Sequence, residues 1–146
     1  MNTELRHILD KTKSIYSIRD DETIFNASKI MNENKIGSLL VSNGVNFHGI
    51  VTERDFLEKV IGFGMDIHSS YVRDIMSTNL IAIDYTKTAQ EALKIMTDKK
   101  IRHLPVYDDN DNFFGLASIG DLAKWASSRY FEKKDEVAKL VDYISQ

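Results

Sequence analysis

The feature that most constrains this chain is that its sequence repeats. Residues 15–60 align with residues 80–126 at an offset of 65 positions, which becomes 66 after one inserted residue. The identities include the tripeptide KIM at 29–31 and 94–96 and, further on, Phe47 with Phe113, Gly49 with Gly115 and Asp55 with Asp121. Because chance matches would not keep one register over about 45 positions, we interpret the chain as an internal duplication.

Each copy has the same predicted order of elements, β-α-β-β-α. A short apolar run precedes an amphipathic helix, which in the second copy begins with a capping box of Thr88 and Glu91. A strand follows (SLLV or HLPV), then a turn and another strand (FHGIV or FFGLA). This last strand leads into a helix that opens at Thr52 in one copy and at Ser118 in the other.

The element order predicts an α+β fold made of two small domains. We place the first domain at 1–62, a linker containing glycine and serine at 63–71, the second domain at 72–130 and a C-terminal helix at 131–146. One copy of about 55 residues would bury little core by itself, so two copies are expected to pack together. The composition, 42% hydrophobic with one proline, is typical of a folded protein.

Charge and composition argue against several classes of partner. The net charge of −3 provides no general attraction to nucleic acids or anionic membranes. No stretch approaches the roughly 20 apolar residues needed to span a bilayer, and the N-terminal sequence lacks the apolar core of a signal peptide. The absence of cysteine excludes disulfides and thiolate metal sites. We therefore expect a cytoplasmic protein that does not bind nucleic acids or membranes.

Motifs of enzymes and metal sites are missing from the sequence. There is no P-loop, no G-x-G-x-x-G and no nucleophile elbow. The segment DDNDNF at 108–113 begins like a calcium loop, but Phe113 stands where the loop needs glycine and Ile119 where it needs glutamate. The four histidines show no metal-ligand spacing. We expect no catalytic residues and no bound metal.

The motif at the start of the last helix in each copy has two interpretations. Thr52-x-x-Asp55 and Ser118-x-x-Asp121 match the pattern by which a hydroxyl residue caps a helix N-terminus. The same geometry presents unpaired N–H groups that can bind a phosphate, next to a carboxylate that can accept hydrogen bonds from two ribose hydroxyls. Capping and ligand binding are compatible with each other.

Taken together, these features resemble a pair of CBS domains, known as a Bateman module. The resemblance rests on the tandem β-α-β-β-α repeat, the IRHLPV strand and the two T/S-x-x-D motifs, and it extends from about residue 5 to residue 129. It implies a pseudo-two-fold pair with two clefts that hold adenosyl compounds such as AMP, ADP or ATP. It also implies a homodimer that regulates a protein target which the sequence does not name.

The resemblance further implies roles for particular residues. Asp55 and Asp121 would contact ribose, and Thr52 and Ser118 would lie near phosphates. Arg102 and His103 are expected to bind phosphate because the family often places basic groups there, and a guanidinium matches phosphate oxygens. The alternatives are a surface arginine at a strand start and, for His103, a buried and hydrogen-bonded histidine.

The first copy departs from this pattern. It has Gly37 and Ser38 where the second copy has its basic pair, although Arg54 could partly substitute. We therefore expect the two clefts to differ, with one of them binding a phosphorylated ligand well. The first strands would supply backbone contacts and an apolar wall for adenine through Ser17, Ile18, Ala82 and Ile83, and the alternative is that they are simply core strands.

The sequence thus leads to one main hypothesis and one alternative. The main hypothesis is a non-enzymatic regulatory module that needs no obligatory cofactor and senses an adenine nucleotide. The alternative is a structural or dimerisation module in which both motifs only cap helices. Loss of nucleotide binding on substituting Asp121 would distinguish the first from the second.

Overall fold

The computed structural model describes residues 3–9 and 16–145, without the side chains at 130, 131, 136, 137, 139, 140 and 143–145. Contacts divide the chain into two compact units, Ser14–Leu80 and the combination of Met1–Lys13 with Ile81–Gln146. Residue 15 of the predicted first strand and residue 146 of the predicted C-terminal helix lie outside the described residues. The first repeat lies in one unit and the second repeat in the other.

The first repeat contains a three-stranded sheet covered by helices. Strand β1 (Ser17–Arg19) pairs in parallel with β2 (Ser38–Ser42), which pairs antiparallel with β3 (Phe47–Thr52). Helix α1 spans Ile24–Asn34. After β3, α2 covers Glu53–Asp55 and continues as a π-helix over Phe56–Ile61, and a 3-10 turn follows at Val72–Asp74.

The second repeat has the same topology. Strands β4 (Ile83–Asp84), β5 (His103–Tyr107) and β6 (Phe113–Ser118) form a sheet in that order, with α3 at Ala89–Lys99. Helix α4 runs from Ile119 to Ser145, so the predicted C-terminal helix continues the last helix of the repeat. The predicted α+β fold with two β-α-β-β-α repeats is confirmed.

Local sequence explains how the central helices begin and end. The Thr23 side chain accepts a hydrogen bond from the Asn26 N–H at 3.1 Å, and the predicted capping box of Thr88 and Glu91 is present. Lys35 and Lys100 end α1 and α3 in the left-handed conformation, with φ of 52° and 56°. The two helices are therefore built in the same way.

The segments that lead into each repeat, 5–9 and 72–76, complete the core of the other repeat. Leu5 is fully buried among the core residues of the second repeat, and its N–H donates to the Lys87 carbonyl at 2.8 Å. Val72 and Ile75 are 0% and 1% exposed in the core of the first repeat. We call 5–9 and 72–76 the lead-in segments. The unit of the second repeat therefore combines two separate parts of the chain, whereas the unit of the first repeat is the continuous segment Ser14–Leu80.

Candidate functional site

In the second repeat, the predicted site residues meet at one end of the sheet. His103 and Ser118 are cross-strand partners at the ends of β5 and β6. The Ile119 N–H donates to the Arg102 carbonyl at 2.9 Å, which fixes the start of α4 beside the start of β5. Asp121 lies in the first turn of that helix. The structure thus brings Arg102, His103, Ser118 and Asp121 together at one end of the sheet, where β5 begins and β6 ends.

The hydroxyl of this motif caps the helix. The Asp121 N–H donates to Ser118 Oγ at 3.0 Å, as the capping interpretation predicts. The residue Asp121 is half-buried, while Arg102 is exposed and makes no ion pair with any residue that the structure describes. A helix N-terminus, an exposed guanidinium and a carboxylate therefore occur close together along this edge, a combination suited to a phosphorylated ligand that also has hydroxyls.

The first repeat has the same backbone arrangement with different side chains. Ser38 and Thr52 are cross-strand partners, and the Glu53 N–H donates to the Gly37 carbonyl at 3.0 Å. The N–H and the hydroxyl of Thr52 lie 2.8 and 3.2 Å from Asp55 Oδ2. At 6% exposure, Asp55 is the only buried charged residue among those described.

Lys59, one turn after Asp55, completes this arrangement. Its Nζ lies 2.9 Å from Asp55 Oδ1 and 2.7 Å from the carbonyl oxygen of Ile75, which belongs to the lead-in segment 72–76. Both carboxylate oxygens of Asp55 therefore have partners within the protein. The aligned position in the second repeat holds Trp125, which packs against the core of that repeat.

Sequence reasoning missed Lys59, although its spacing from Asp55 was visible. A lysine four residues after an aspartate in a helix is placed to form an ion pair. The contact with Ile75 could not be anticipated in that way, because it depends on where the lead-in segment packs. Arg54, the basic residue nearest to the missing pair in the motif of the first repeat, forms an exposed ion pair with Glu58 at 2.8 Å.

The first-strand residues lie apart from the motif. In the first repeat, β2 separates β1 from β3, so Ser17 and Ile18 are not adjacent to Thr52. Ile18 and Ile83 are each 6% exposed and pack into the cores, whereas Ser17 and Ala82 are exposed.

An open groove of about 420 Å³ borders the exposed edge of β1. It is lined by Ser17, Ile18, Arg19, Glu22, Asn26, Lys29, Ile30 and Glu33.

A second difference between the repeats lies at the end of the first strand. His48 Nε2 is 3.2 Å from Asp20 Oδ2 in the first repeat. The aligned residues in the second repeat are Phe114 and Tyr85, whose ring centroids are 5.2 Å apart in an edge-to-face contact. A polar pair thus replaces an aromatic pair at the same place in the fold.

Neither a metal-binding cluster nor a membrane-spanning helix occurs in the part of the chain that the structure describes. Among residues 3–9 and 16–145, no cluster of three or more histidine, aspartate or glutamate side chains could hold a metal ion. Within the same ranges, no helix combines the length and the apolar character that crossing a membrane requires.

Comparison with known proteins agrees with this architecture. The family model for the CBS domain matches residues 5–62 and 72–128. The chain belongs to the CBS domain family. It is 35% identical over 129 residues to the mitochondrial CBS domain-containing protein CBSX3 of Arabidopsis thaliana, covering 85% of this chain and 61% of that protein. It is 30% identical over 113 residues to the CBS domain-containing protein YhcV of Bacillus subtilis, covering 77% of this chain and 79% of YhcV.

Solved structures of other CBS proteins have the same fold. A CBS-domain protein from Agrobacterium tumefaciens superposes with a TM-score of 0.77 at 29% identity, covering 85% of this chain and 99% of that one. A hexameric CBS-CP12 protein from bloom-forming cyanobacteria gives a TM-score of 0.75 at 26% identity, covering 84% of this chain and 67% of its own. Because this chain spans only 61% of its Arabidopsis relative, the relative's full activity does not transfer to it.

Proposed function

We propose that this CBS-domain protein is a non-enzymatic regulatory module that binds an adenine nucleotide, AMP, ADP or ATP, through its second repeat. The observation that supports the proposal is the convergence of Arg102, His103, Ser118 and Asp121 on one edge of the sheet. Membership of the CBS domain family supports a regulatory role. The protein would act in the cytoplasm on a protein target of unknown identity.

The chemistry of this edge fits a nucleotide. The N-terminus of α4 carries the positive end of a helix dipole, and the exposed guanidinium of Arg102 can donate two parallel hydrogen bonds to phosphate oxygens. The carboxylate of Asp121 provides acceptors for the two hydroxyls of ribose. His103 would donate to phosphate from the end of β5. These groups distinguish a nucleotide from an apolar ligand.

Regulation would follow from a difference in affinity between conformations. A ligand can shift an equilibrium between two states only by the amount by which it binds one of them more tightly. The proposed readout is a change in self-association or in contact with the protein target. Exposed apolar side chains at and just after the end of the first repeat support self-association as a homodimer, since Leu57, Ile61 and Phe63 are 64%, 72% and 80% exposed.

One observation favours a second candidate function. Ser118 and Thr52 both take part in hydrogen bonds at the starts of their helices, which is what a purely structural motif would do. In this alternative the protein is a dimerisation or interaction module that binds no nucleotide.

Thermal unfolding against AMP, ADP, ATP, GTP, NAD and S-adenosylmethionine tests the proposal. A ligand present at about 100 times its Kd adds about 2.7 kcal/mol of stability, which raises the Tm by several degrees. We expect a selective rise with adenosyl ligands, and its loss in Asp121→Ala. The absence of any rise would favour the interaction module.

A further inference from the structure

We infer that Lys59 prevents the T/S-x-x-D motif of the first repeat from binding a ligand, so that one chain binds one adenosyl ligand, at the second repeat. This inference rests on the proposed function of the second repeat. It assigns to Lys59 a role in setting the number of ligands bound. In this inference the Lys59 ammonium occupies the position beside the Asp55 carboxylate that the hydroxyls of a ribose would need.

The carboxylate of Asp55 is occupied on both oxygens. Lys59 Nζ lies 2.9 Å from Oδ1, and the N–H and hydroxyl of Thr52 approach Oδ2 at 2.8 and 3.2 Å. The residue is also only 6% exposed. Each carboxylate oxygen accepts about two hydrogen bonds, so these three contacts leave one acceptor site, on Oδ1. The two hydroxyls of a ribose could therefore both bind only by displacing a present partner, and the Lys59 contact is a charge-assisted hydrogen bond, roughly twice as strong as a neutral one.

Lys59 is held in place by a second acceptor. Its ammonium also donates to the carbonyl oxygen of Ile75 at 2.7 Å, and Ile75 is 1% exposed within the core of the first repeat. The lysine is thus fixed between its own helix and the lead-in segment 72–76. Moving it out of the way of a ligand would break both interactions at once.

The first repeat also presents an acidic side chain where the second presents a basic one. A Cβ placed on Gly37, the counterpart of Arg102, would lie 3.0 Å from Glu53 Oε1. The counterpart of Glu53 in the second repeat is the uncharged Ile119. A carboxylate at this position repels phosphate, so two independent features disfavour a nucleotide at the first repeat.

Isothermal titration of the full chain with ATP and AMP tests this inference. We expect one equivalent to bind. Asp121→Asn should weaken binding by about tenfold or more, the effect expected for loss of hydrogen bonds to a charged group. Asp55→Asn should leave both the stoichiometry and the affinity of that one site as they were. A wild-type stoichiometry of two, or a larger loss for Asp55→Asn than for Asp121→Asn, would overturn the inference while leaving nucleotide binding intact.

A gain of binding tests Lys59 directly. Lys59→Met combined with Glu53→Gln removes both obstacles, and a second, weaker binding event should appear. The matched control is Lys94→Met, which removes the lysine of an exposed i,i+4 pair with Asp98, 3.3 Å apart. If the double variant is folded by circular dichroism and still binds one equivalent, Lys59 and Glu53 do not close the site.

A measurement without nucleotide separates this inference from the proposed function. A double-mutant cycle of Lys59→Met and Asp55→Asn should show a larger coupled shift in Tm than the same cycle on Lys94 and Asp98. If wild-type protein binds no nucleotide, the proposed function fails, and this cycle still tests whether Lys59 holds the Asp55 carboxylate. A coupling no larger than that of the control pair would overturn the inference.

Discussion

The two repeats have nearly the same backbone and different side chains around the same aspartate. In both, the first residue of the last helix donates to a carbonyl at the start of the middle strand, at 3.0 Å in the first repeat and 2.9 Å in the second. Asp55 then faces Lys59 and Thr52, whereas the second repeat has Trp125 at the position of Lys59. The two repeats thus share one backbone arrangement, and a few substitutions make the two motifs chemically distinct.

The helices that follow the motifs differ as well. After Asp55 the chain forms a π-helix that ends at Ile61, while α4 continues as an α-helix to Ser145. π-Helical turns are rare and occur often at functional sites. Here the π-helix contains Lys59, the residue that pairs with Asp55.

The largest expected effect concerns the lead-in segments. Leu5→Ala should destabilise the second repeat and Ile75→Ala the first, each by about 2–5 kcal/mol, because each removes a fully buried side chain from a core. Hydrogen exchange followed by mass spectrometry should show lost protection in the repeat that each residue packs against. Lost protection in the repeat that each residue precedes in sequence would contradict the finding that each lead-in segment packs into the core of the other repeat.

Removing the two aspartates should have unequal effects on stability. Asp55→Ala leaves Lys59 without its carboxylate and the Thr52 N–H without its acceptor, so we expect a loss of about 1–3 kcal/mol. In the second repeat Trp125 stands in place of Lys59, and Asp121→Ala keeps the backbone N–H that donates to Ser118 Oγ, so no ion pair with that position is lost and we expect a smaller effect, about 1 kcal/mol. Urea unfolding of both variants measures the difference. Equal losses would show that Lys59 contributes nothing to the first motif.

The helix ends should respond equally in the two repeats. Lys35 and Lys100 both have positive φ, a conformation that glycine adopts without steric cost. Lys35→Gly and Lys100→Gly should each stabilise the protein by up to about 1 kcal/mol, because relief of strain outweighs the added freedom of the unfolded chain. Urea midpoints compare the two variants, and Lys94→Gly, in the interior of α3, should destabilise instead. A gain in only one repeat would contradict the equivalence of these turns.

The smallest expected effect concerns acid sensitivity, where the two repeats differ in the group that stabilises the carboxylate. The hydroxyl and N–H of Thr86 donate to Asp84 Oδ1 at 2.6 and 2.8 Å and lower the pKa of that carboxyl below its ordinary 3.8. Because the folded pKa is depressed, the stabilisation is present above the unfolded pKa and is lost as the pH falls through the folded pKa. In the first repeat the pair is reversed: Arg19 stands at the position of Asp84 and donates to Asp21, at the position of Thr86, at 3.1 Å, which lowers the pKa of the Asp21 carboxyl. A carboxylate held by a threonine at this place is therefore specific to the second repeat.

Urea midpoints measured between about pH 2 and pH 5 test this difference. Asp84→Asn should remove part of the acid-dependent loss of stability, and Thr86→Val, which keeps the N–H but not the hydroxyl, should remove less. An acid dependence identical to that of the wild-type protein in both variants would show that Thr86 does not stabilise the carboxylate.

Much of the fold was predictable because it depends on short-range interactions. The duplication, the β-α-β-β-α order and the capping box of Thr88 and Glu91 are encoded within a few residues of one another. The pairing of His103 with Ser118 is consistent with the predicted strand-turn-strand order, since a hairpin brings the outer ends of its two strands together. The inequality of the two motifs was expected from the missing basic pair in the first repeat.

The sequence by itself determined the repeat, the elements of each copy and the positions of the two motifs, because these depend on periodicity and on hydrogen bonds between near neighbours. The tertiary structure alone decided which core each lead-in segment completes and how the lysine that pairs with the Asp55 carboxylate is held in place. Lys59 meets the carbonyl of Ile75 across 16 positions of the chain. Such a contact exists only after two segments have packed, and no local pattern specifies it.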